Sequence, residues 1–197
     1  LRVTNKRILS IVKKIIGHEL NPMIVKNISQ SGGKAKSING ITKKIIQAKK
    51  ILNGKIGFVG TPSNLNKTYI LELLKKGTVP VISPLGYDKL GNTYNINADT
   101  AAGYVAEKLK AERLILLTDV VGVLNSKKKL IAALNEKKAS KFIKNGTIKG
   151  GMLPKIKTCF NIIKKGVKGV VIIDGRNPNA TILELFTKKG AGTLISK

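Results

Sequence analysis

Apolar runs of strand length alternate with amphipathic helical stripes along most of this chain. Residues 113–118 and 167–173 are largely apolar runs that predict strands, and residues 152–165 between them carry an apolar face at helical spacing. Strands joined through a helix usually pair in parallel, and the helices then cover the faces of the sheet. The alternation therefore predicts an α/β fold, a three-layer α/β/α sandwich with a mostly parallel sheet.

The same patterns outline the other elements, and the length suits one well-packed domain over residues 1–197. An apolar stripe over residues 8–16 predicts a first helix that stops near Gly17, and Gly60-Thr61-Pro62 predicts the end of an early strand. The strand at 79–83 is expected to be buried. The predicted helices cover 8–16, 24–31, 69–76, 98–109, 136–144, 152–165 and 179–187, and the predicted strands cover 35–38, 55–59, 79–83, 113–118, 167–173 and 193–196.

Two amides and an acid stand together at the start of the helix predicted over 98–109. Asn95, Asn97 and Asp99 belong to the segment Asn-Ile-Asn-Ala-Asp, and apolar residues recur at helical spacing from residue 98 onward. Asn97 is the natural N-cap of that helix, because its side-chain oxygen can accept from a free backbone N–H. The segment thus places polar side chains at the N-terminus of the predicted helix.

Two further segments favour phosphate chemistry. Gly150-Gly151-Met152-Leu153-Pro154-Lys155 puts a lysine just inside a helix start, where unpaired N–H groups also attract anions. Asp119 and Gly122 follow the strand predicted at 113–118, and ligands of doubly wound sheets bind at the carboxyl ends of strands. A nucleotide is the ligand class expected at this edge.

Together, the segments of this chain resemble the N-acetylglutamate kinases of the amino-acid kinase family. The resemblance rests on Leu1-Arg2-Val3-Thr4, the Asn-Ile-Asn-Ala-Asp segment, residues 116–124, residues 150–155 and the tail from Asp174-Gly175-Arg176 to Thr193, in the family's order and spacing. It implies transfer of the ATP γ-phosphoryl group to the side-chain carboxylate of N-acetyl-L-glutamate, a step of arginine biosynthesis. ATP is then the co-substrate, with Mg²⁺ expected alongside it, although no protein ligand cluster for a metal is visible in the sequence.

The resemblance also implies roles for individual residues. Lys155 would stabilise the transition state, and Asp99 would hold catalytic lysines in position. Arg2 would clamp the α-carboxylate of the substrate, and Asn95 would contact bound N-acetylglutamate. The implied ATP-binding residues are Asp119, Val120, Val121, Gly122, Val123, Leu124, Thr147, Ile148 and Lys149.

The chain departs from the family pattern at both ends. It corresponds to the carboxy-terminal two-thirds, with the amino-terminal part expected to be absent, so that about 1–92 is the rest of the amino-acid-substrate half and about 93–197 the nucleotide-binding half. The family's early strand with a catalytic lysine, and its glycine-rich phosphate loop, would precede Leu1. Asn179 stands where arginine-sensitive relatives usually carry His, and Lys188-Lys189 stands at a commonly acidic place, which puts feedback inhibition by arginine in doubt.

A formal net charge of +27 raises the alternative of a basic nucleic-acid-binding protein. Four of the 37 basic residues are Arg, which leaves 33 Lys spread along the chain, and aromatic residues make up 4%. Base readout and stacking need Arg and aromatic side chains, so nucleic acid is not an expected partner. The single cysteine, Cys159, lies on an apolar helix face and is expected in the core.

Two related functions stay open. Another kinase of the same family, acting on carbamate, glutamate or aspartate, or an inactive remnant would carry similar segments. The apolar runs are far shorter than the roughly 20 residues of a membrane span, so no membrane association is expected. The resemblance implies a homo-oligomer, a dimer or hexamer, for the full-length protein. The bacterial cytoplasm is the expected compartment, with a plastid as the second candidate.

Overall fold

The computed structural model describes residues 2–39, 41, 44–52 and 56–197 of the chain. These residues form two compact units, Leu1–Ala102 and Gly103–Lys197, and the boundary falls inside one helix. Both units combine helices with strands that pair in parallel, which confirms the predicted α/β class. The functional division predicted near residue 92 stays a prediction.

The first unit contains two groups of strands and the helices packed on them. One group is a parallel pair, β1 with β4, and the other is a closed arrangement of β2, β3, β6 and β5. A helix that starts in this unit, α4 (Ala98–Leu109), continues into the second. The other elements are α1 (Lys6–Val12), a π-helical segment (Lys13–Leu20), α2 (Asn21–Gln30), β1 (Lys34–Asn39), β2 (Ile46–Lys50), β3 (Val59–Leu65), α3 (Lys67–Lys75), β4 (Thr78–Ser83), β5 (Leu85–Tyr87) and β6 (Thr93–Ile96).

The predicted stop near Gly17 was wrong, because the helix continues through it into α2. The turn before α2 widens, so that the N–H of Asn21 bonds to the carbonyl of Ile16, five residues earlier. Pro22 follows at the start of α2 and has no N–H to give to an α-helical ladder. A π turn in front of the proline therefore accommodates it, and Gly17 is buried within the turn.

The strand predicted at 55–59 was also wrong in its end point. Lys55 lies outside the described residues, and β3 begins at Val59 and runs through Gly60, Thr61 and Pro62. Pro62 pairs with Ala48 of β2, next to a register shift between Gln47 and Ala48. An irregularity of this kind is where a strand tolerates proline, so the proline does not end the strand.

The parallel pair β1–β4 aligns six residues on each strand, from Lys34 with Thr78 to Asn39 with Ser83. The strand predicted at 79–83 is present, but its predicted burial was wrong over most of its length. Ser83 is buried, whereas Val79 is 47% exposed.

The second unit is built on a four-stranded sheet in the order β7, β9, β10, β8. β7 and β9 are parallel over six residues, and β10 returns antiparallel to β9. The main core lies between this sheet and α6, and Cys159 is fully buried in it, as predicted. The elements are β7 (Arg113–Thr118), β8 (Ala133–Leu134), α5 (Glu136–Lys144), α6 (Met152–Lys164), β9 (Gly169–Asp174), α7 (Ala180–Phe186) and β10 (Gly192–Ser196).

Among the residues described, no helix combines the length and apolar character needed to cross a membrane.

Candidate active site

A cavity of about 420 Å³ lies in the second unit, where β7 ends. All nine residues predicted to bind ATP line this cavity, together with Met152 and Arg176. Residues from two separate segments, 119–124 and 147–149, thus meet at one place. The position agrees with the rule that ligands of parallel sheets bind at the carboxyl ends of strands. That these residues bind ATP stays a prediction.

One wall of the cavity requires a glycine. Gly122 has φ +130°, and a Cβ added there would lie 2.7 Å from both Thr193 Oγ1 and Leu130 Cδ1. Thr193 is fully buried, and its hydroxyl accepts a hydrogen bond of 2.8 Å from the N–H of Val123. Any side chain at Gly122 would therefore strain the backbone and displace the turn that forms the wall.

A second wall is the loop of Thr147, Ile148 and Lys149 that follows α5. Ile148 is buried, and its N–H donates to the carbonyl of Phe142 at 2.8 Å. The N–H of Thr147 donates to Asn145 Oδ1 at 3.2 Å. Lys149, in contrast, is exposed. Its positive charge therefore lies at the rim of the cavity, on a loop whose backbone is held by these hydrogen bonds.

The third wall is the turn after β9. Arg176 makes a bidentate contact with Asp174, in which Nε donates to Oδ1 and Nη2 donates to Oδ2, both at 2.9 Å. These hydrogen bonds lower the pKa of Asp174 to about 2. Arg176 was not among the predicted site residues, although the Asp-Gly-Arg sequence was one of the segments that carried the family resemblance. Met152 was missed as well, and its place beside Gly151 at a helix start was the available signal.

Lys155 lies in the first turn of α6 and is half-buried. The N-cap of this helix is Gly151, which has no side chain, so no side chain caps the start of the helix. Met152, which lines the cavity, is three residues before Lys155 and so lies on the same side of the helix. The lysine and the helix dipole give this end of α6 a positive potential.

A second cavity, of about 410 Å³, lies within the first unit. Both residues predicted to bind N-acetylglutamate, Arg2 and Asn95, line it, together with Asn97. The remaining lining residues are Ile16, Val59, Pro84, Ile96 and Ala98. The cavity thus has an apolar wall and a set of amide and guanidinium donors. Leu1, the first residue of the predicted motif, lies outside the described residues.

The fully buried Thr4 supports this second cavity. Asn95 Nδ2 donates to Thr4 Oγ1 at 3.2 Å, and Thr4 Oγ1 donates to the carbonyl of Arg2 at 3.3 Å. The backbone of Thr4 also bonds to Ile56 and Phe58, on either side of Gly57. Gly57 has φ +70°, and a Cβ there would meet the backbone carbonyl of Thr4, so glycine is required at this approach. The segment that carries Arg2 is therefore tied to the chain at several points.

Asp99 lies in the first turn of α4 and is half-buried. The side chain of Asn97 accepts from the N–H of Thr100 at 3.0 Å, which confirms the predicted cap. Asp99 belongs to the first unit and Lys155 to the second. Their catalytic roles stay predictions.

An α/β fold whose parallel strands end at a glycine-walled cavity, with a positively charged helix start beside it, is typical of nucleotide-binding enzymes. The particular family follows from the sequence match. The chain belongs to the amino acid kinase family, whose model matches residues 3–174.

Known proteins resemble the chain from end to end. An acetylglutamate kinase from Pelagibacter ubique is 48% identical over 195 residues, which is 99% of this chain and 67% of that protein. An acetylglutamate kinase from Psychrobacter arcticus is 45% identical over 208 residues, covering 100% of this chain and 69% of that protein. The crystal structure of smu.665 from Streptococcus mutans has 31% identity and a TM-score of 0.82, and the match covers 100% of this chain and 74% of that one. These findings confirm the family and fold indicated by the sequence motifs.

Proposed function

We propose that this chain functions as an acetylglutamate kinase, transferring the γ-phosphoryl group of ATP to the side-chain carboxylate of N-acetyl-L-glutamate. One carboxylate oxygen forms a bond to the γ-phosphorus, the bond from that phosphorus to the bridging oxygen breaks, and ADP leaves with the bonding electrons. The observation that carries the proposal is that nine residues chosen from the sequence as nucleotide contacts line one cavity. The 48% identity to an acetylglutamate kinase supports the choice of acceptor.

The electrostatics of the second unit support a role in phosphoryl transfer. A carboxylate that attacks a polyanionic phosphate is repelled, so catalysis depends on positioning and on cations that gather the spreading negative charge. We assign this task to Lys155, which stands in the first turn of α6 beside backbone N–H groups that also favour an anion. Lys149 at the cavity rim supplies further positive charge.

We assign the substrate to the cavity of the first unit. Arg2 offers a planar fork suited to the α-carboxylate, and Asn95 offers an amide next to it. Asn95 already uses one Nδ2 hydrogen on Thr4, which fixes the orientation of the amide and leaves its oxygen for a donor on the substrate. Asp99, in the first turn of α4, is the proposed partner for catalytic lysines.

Mg²⁺ would accompany the nucleotide. Among the described residues, no group of three or more His, Cys, Asp or Glu side chains could hold a metal. The cavity is lined by the carboxylate of Asp119. A single carboxylate fits a Mg²⁺ ion that is held mainly by phosphate oxygens and water, as Mg²⁺ usually is in kinases. Bound there, the ion would neutralise part of the phosphate charge.

Self-association is also part of the proposal. Ile8, Ile11 and Ile15 lie along one side of α1 and the π-helical segment, and they are 39%, 47% and 41% exposed. An apolar stripe of this kind is a feature of surfaces that bind another protein. We propose a homo-oligomer that buries this stripe and acts in the cytoplasm, where the bacterial relatives' biosynthetic chemistry would take place.

The experiment that tests the function is an acceptor panel. ADP release would be followed with N-acetyl-L-glutamate, L-glutamate, L-aspartate and carbamate, and the acyl phosphate would be trapped with hydroxylamine. We expect hydroxamate only from N-acetyl-L-glutamate. Equal or greater turnover with L-glutamate or L-aspartate would refute the proposed substrate, and ADP release without hydroxamate would refute a carboxyl acceptor.

A further inference from the structure

Asp174 fixes the position of Arg176 at the nucleotide cavity. Three N–H groups of Arg176, its backbone N–H, Nε and Nη2, donate to the two carboxylate oxygens at 2.9 Å each. A fork of this kind defines the plane of the guanidinium as well as its place. Arg176, which lines the cavity, therefore has a guanidinium whose plane is fixed.

The turn that carries this arginine is itself anchored. The N–H of Gly175 donates to the carbonyl of Thr118 at 2.8 Å, which joins the turn to the end of the neighbouring β7. A Cβ at Gly175 would lie 3.1 Å from Leu117 Cβ, so the two strand ends approach closely. The guanidinium is thus held from both its side chain and its backbone.

The charges around Arg176 are unfavourable for a phosphate. Asp174 neutralises the guanidinium, and its own pKa of about 2 keeps it ionised at neutral pH. Asp119, which also lines the cavity, raises the pKa of Arg176 further by its negative charge, after the larger effects of Asp174. Asp174 and Asp119 together balance the guanidinium, so this wall of the cavity offers a phosphate group no net positive charge.

The same arrangement suits a neutral, flat ligand. Of the five N–H donors of a guanidinium, two are used by Asp174, and three remain for other acceptors. The face of the plane can stack on an aromatic ring. Positive charge for the phosphates is available elsewhere, from Lys149 and from the start of α6.

We propose that Arg176, positioned by Asp174, recognises the nucleoside end of the nucleotide by packing its plane against the base, and does not bind the phosphates. This inference rests on the proposed function, because it takes the cavity to be the nucleotide site. It adds Arg176 as a binding residue and Asp174 as a positioning residue.

The test compares nucleotides that differ only in their number of phosphates. Calorimetric titration of AMP, ADP and ATP into Arg176→Ala should show binding weakened by the same factor for all three, roughly 5- to 30-fold. Lys149→Ala should instead lose more affinity for ATP than for AMP. Arg7→Ala, which removes an exposed arginine of α1 in the other unit, is the matched control and should bind like the unaltered chain.

Two further variants separate the effect of the planar guanidinium group of Arg176 from the effect of its positive charge. Arg176→Lys keeps the charge without the plane and should not restore AMP binding. Asp174→Asn should weaken AMP binding in the same way, while ATP binding becomes more dependent on salt, because the released guanidinium can then reach phosphates. Arg176→Met, which keeps the apolar stem, would replace Arg176→Ala if thermal unfolding shows that the alanine variant does not fold.

Opposite results would overturn the inference. An unchanged affinity for AMP in folded Arg176→Ala, or a loss that increases with each added phosphate, would refute nucleoside recognition and leave the proposed function intact. Failure of the folded, unaltered chain to bind any of the three nucleotides would refute the nucleotide cavity, and this inference with it.

Discussion

Replacing Asn21 by Asp should destabilise the first unit strongly at neutral pH and only weakly in acid. Asn21 is 3% exposed, and its Nδ2 lies 2.8 Å from the carbonyl of Val81, 2.9 Å from Ser83 Oγ and 3.3 Å from the carbonyl of Ile38. Its Oδ1 is buried without a hydrogen-bond partner among the described residues. The amide thus joins α2 to both strands of the β1–β4 pair through its donor side.

The substitution keeps the shape of the side chain and replaces the NH₂ donor by an acceptor. Two donated bonds are lost, and a buried negative charge faces carbonyl oxygens, so we expect a loss of about 3–5 kcal/mol in the free energy of unfolding at neutral pH. A domain has about 5–15 kcal/mol in total, so this loss is large. Ser83 also donates to the carbonyl of Ile16, which lines the substrate cavity, so the damage should extend to substrate binding.

The pH dependence identifies the cause. Burial and the facing carbonyls raise the folded-state pKa of the introduced carboxyl above its unfolded value of about 3.9. The destabilisation is therefore smallest below that unfolded value and increases as pH rises through the folded pKa. In acid the protonated carboxyl can donate one bond, to Val81, so the loss should be about 2 kcal/mol smaller at pH 4.5 than at pH 7.5.

Urea unfolding followed by circular dichroism measures both quantities. Asn27→Asp, the same change at an exposed position of α2, is the control and should alter stability by no more than about 0.5 kcal/mol. Equal losses for the two variants, or a loss at Asn21 that does not change with pH, would refute the role given to the Asn21 amide.

Three further predictions concern the sites and the acid stability of the chain. Lys155→Ala should lower turnover by about 10²-fold or more with little change in substrate affinity, and unchanged kcat would exclude a role in the transition state. Arg2→Ala should weaken N-acetylglutamate binding roughly 10- to 150-fold and leave ATP binding nearly intact, as two calorimetric titrations would show. Hydrogen bonds from Asn92, Tyr94 and Leu90 lower the pKa of Asp88 to about 2. Asp88 therefore stabilises the β5–β6 hairpin above pH 3.8, and this stabilisation is lost as pH falls through 2. In Asp88→Asn the free energy of unfolding, measured by urea unfolding, should change less with pH in this range.

The sequence predicted those fold elements whose signal is local. The strand at 113–118 and the helix at 136–144 have the predicted bounds, because periodicity and caps such as Asn135 are set by neighbouring residues. The failures occurred where a distant partner decides the structure. Pro62 is tolerated in β3 because a register shift in β2 stands opposite, and nothing near Pro62 in the sequence reports that shift.

In the candidate site, too, the sequence predicted the residues with a local signal and missed those that depend on distant partners. Residues inside contiguous motifs, such as Asp119 and Gly122, were found from the sequence because the motif itself carries the spacing of the turn. The residues that hold those turns in place were not found, since each acts across a long stretch of chain. Thr193 supports Val123 from 70 positions away, and its place in the tail segment gives no sign of such a bond. Arg176 is the intermediate case. Its motif was visible, but its role depends on Asp174 directing it toward a cavity that forms only when β7 and β9 pair.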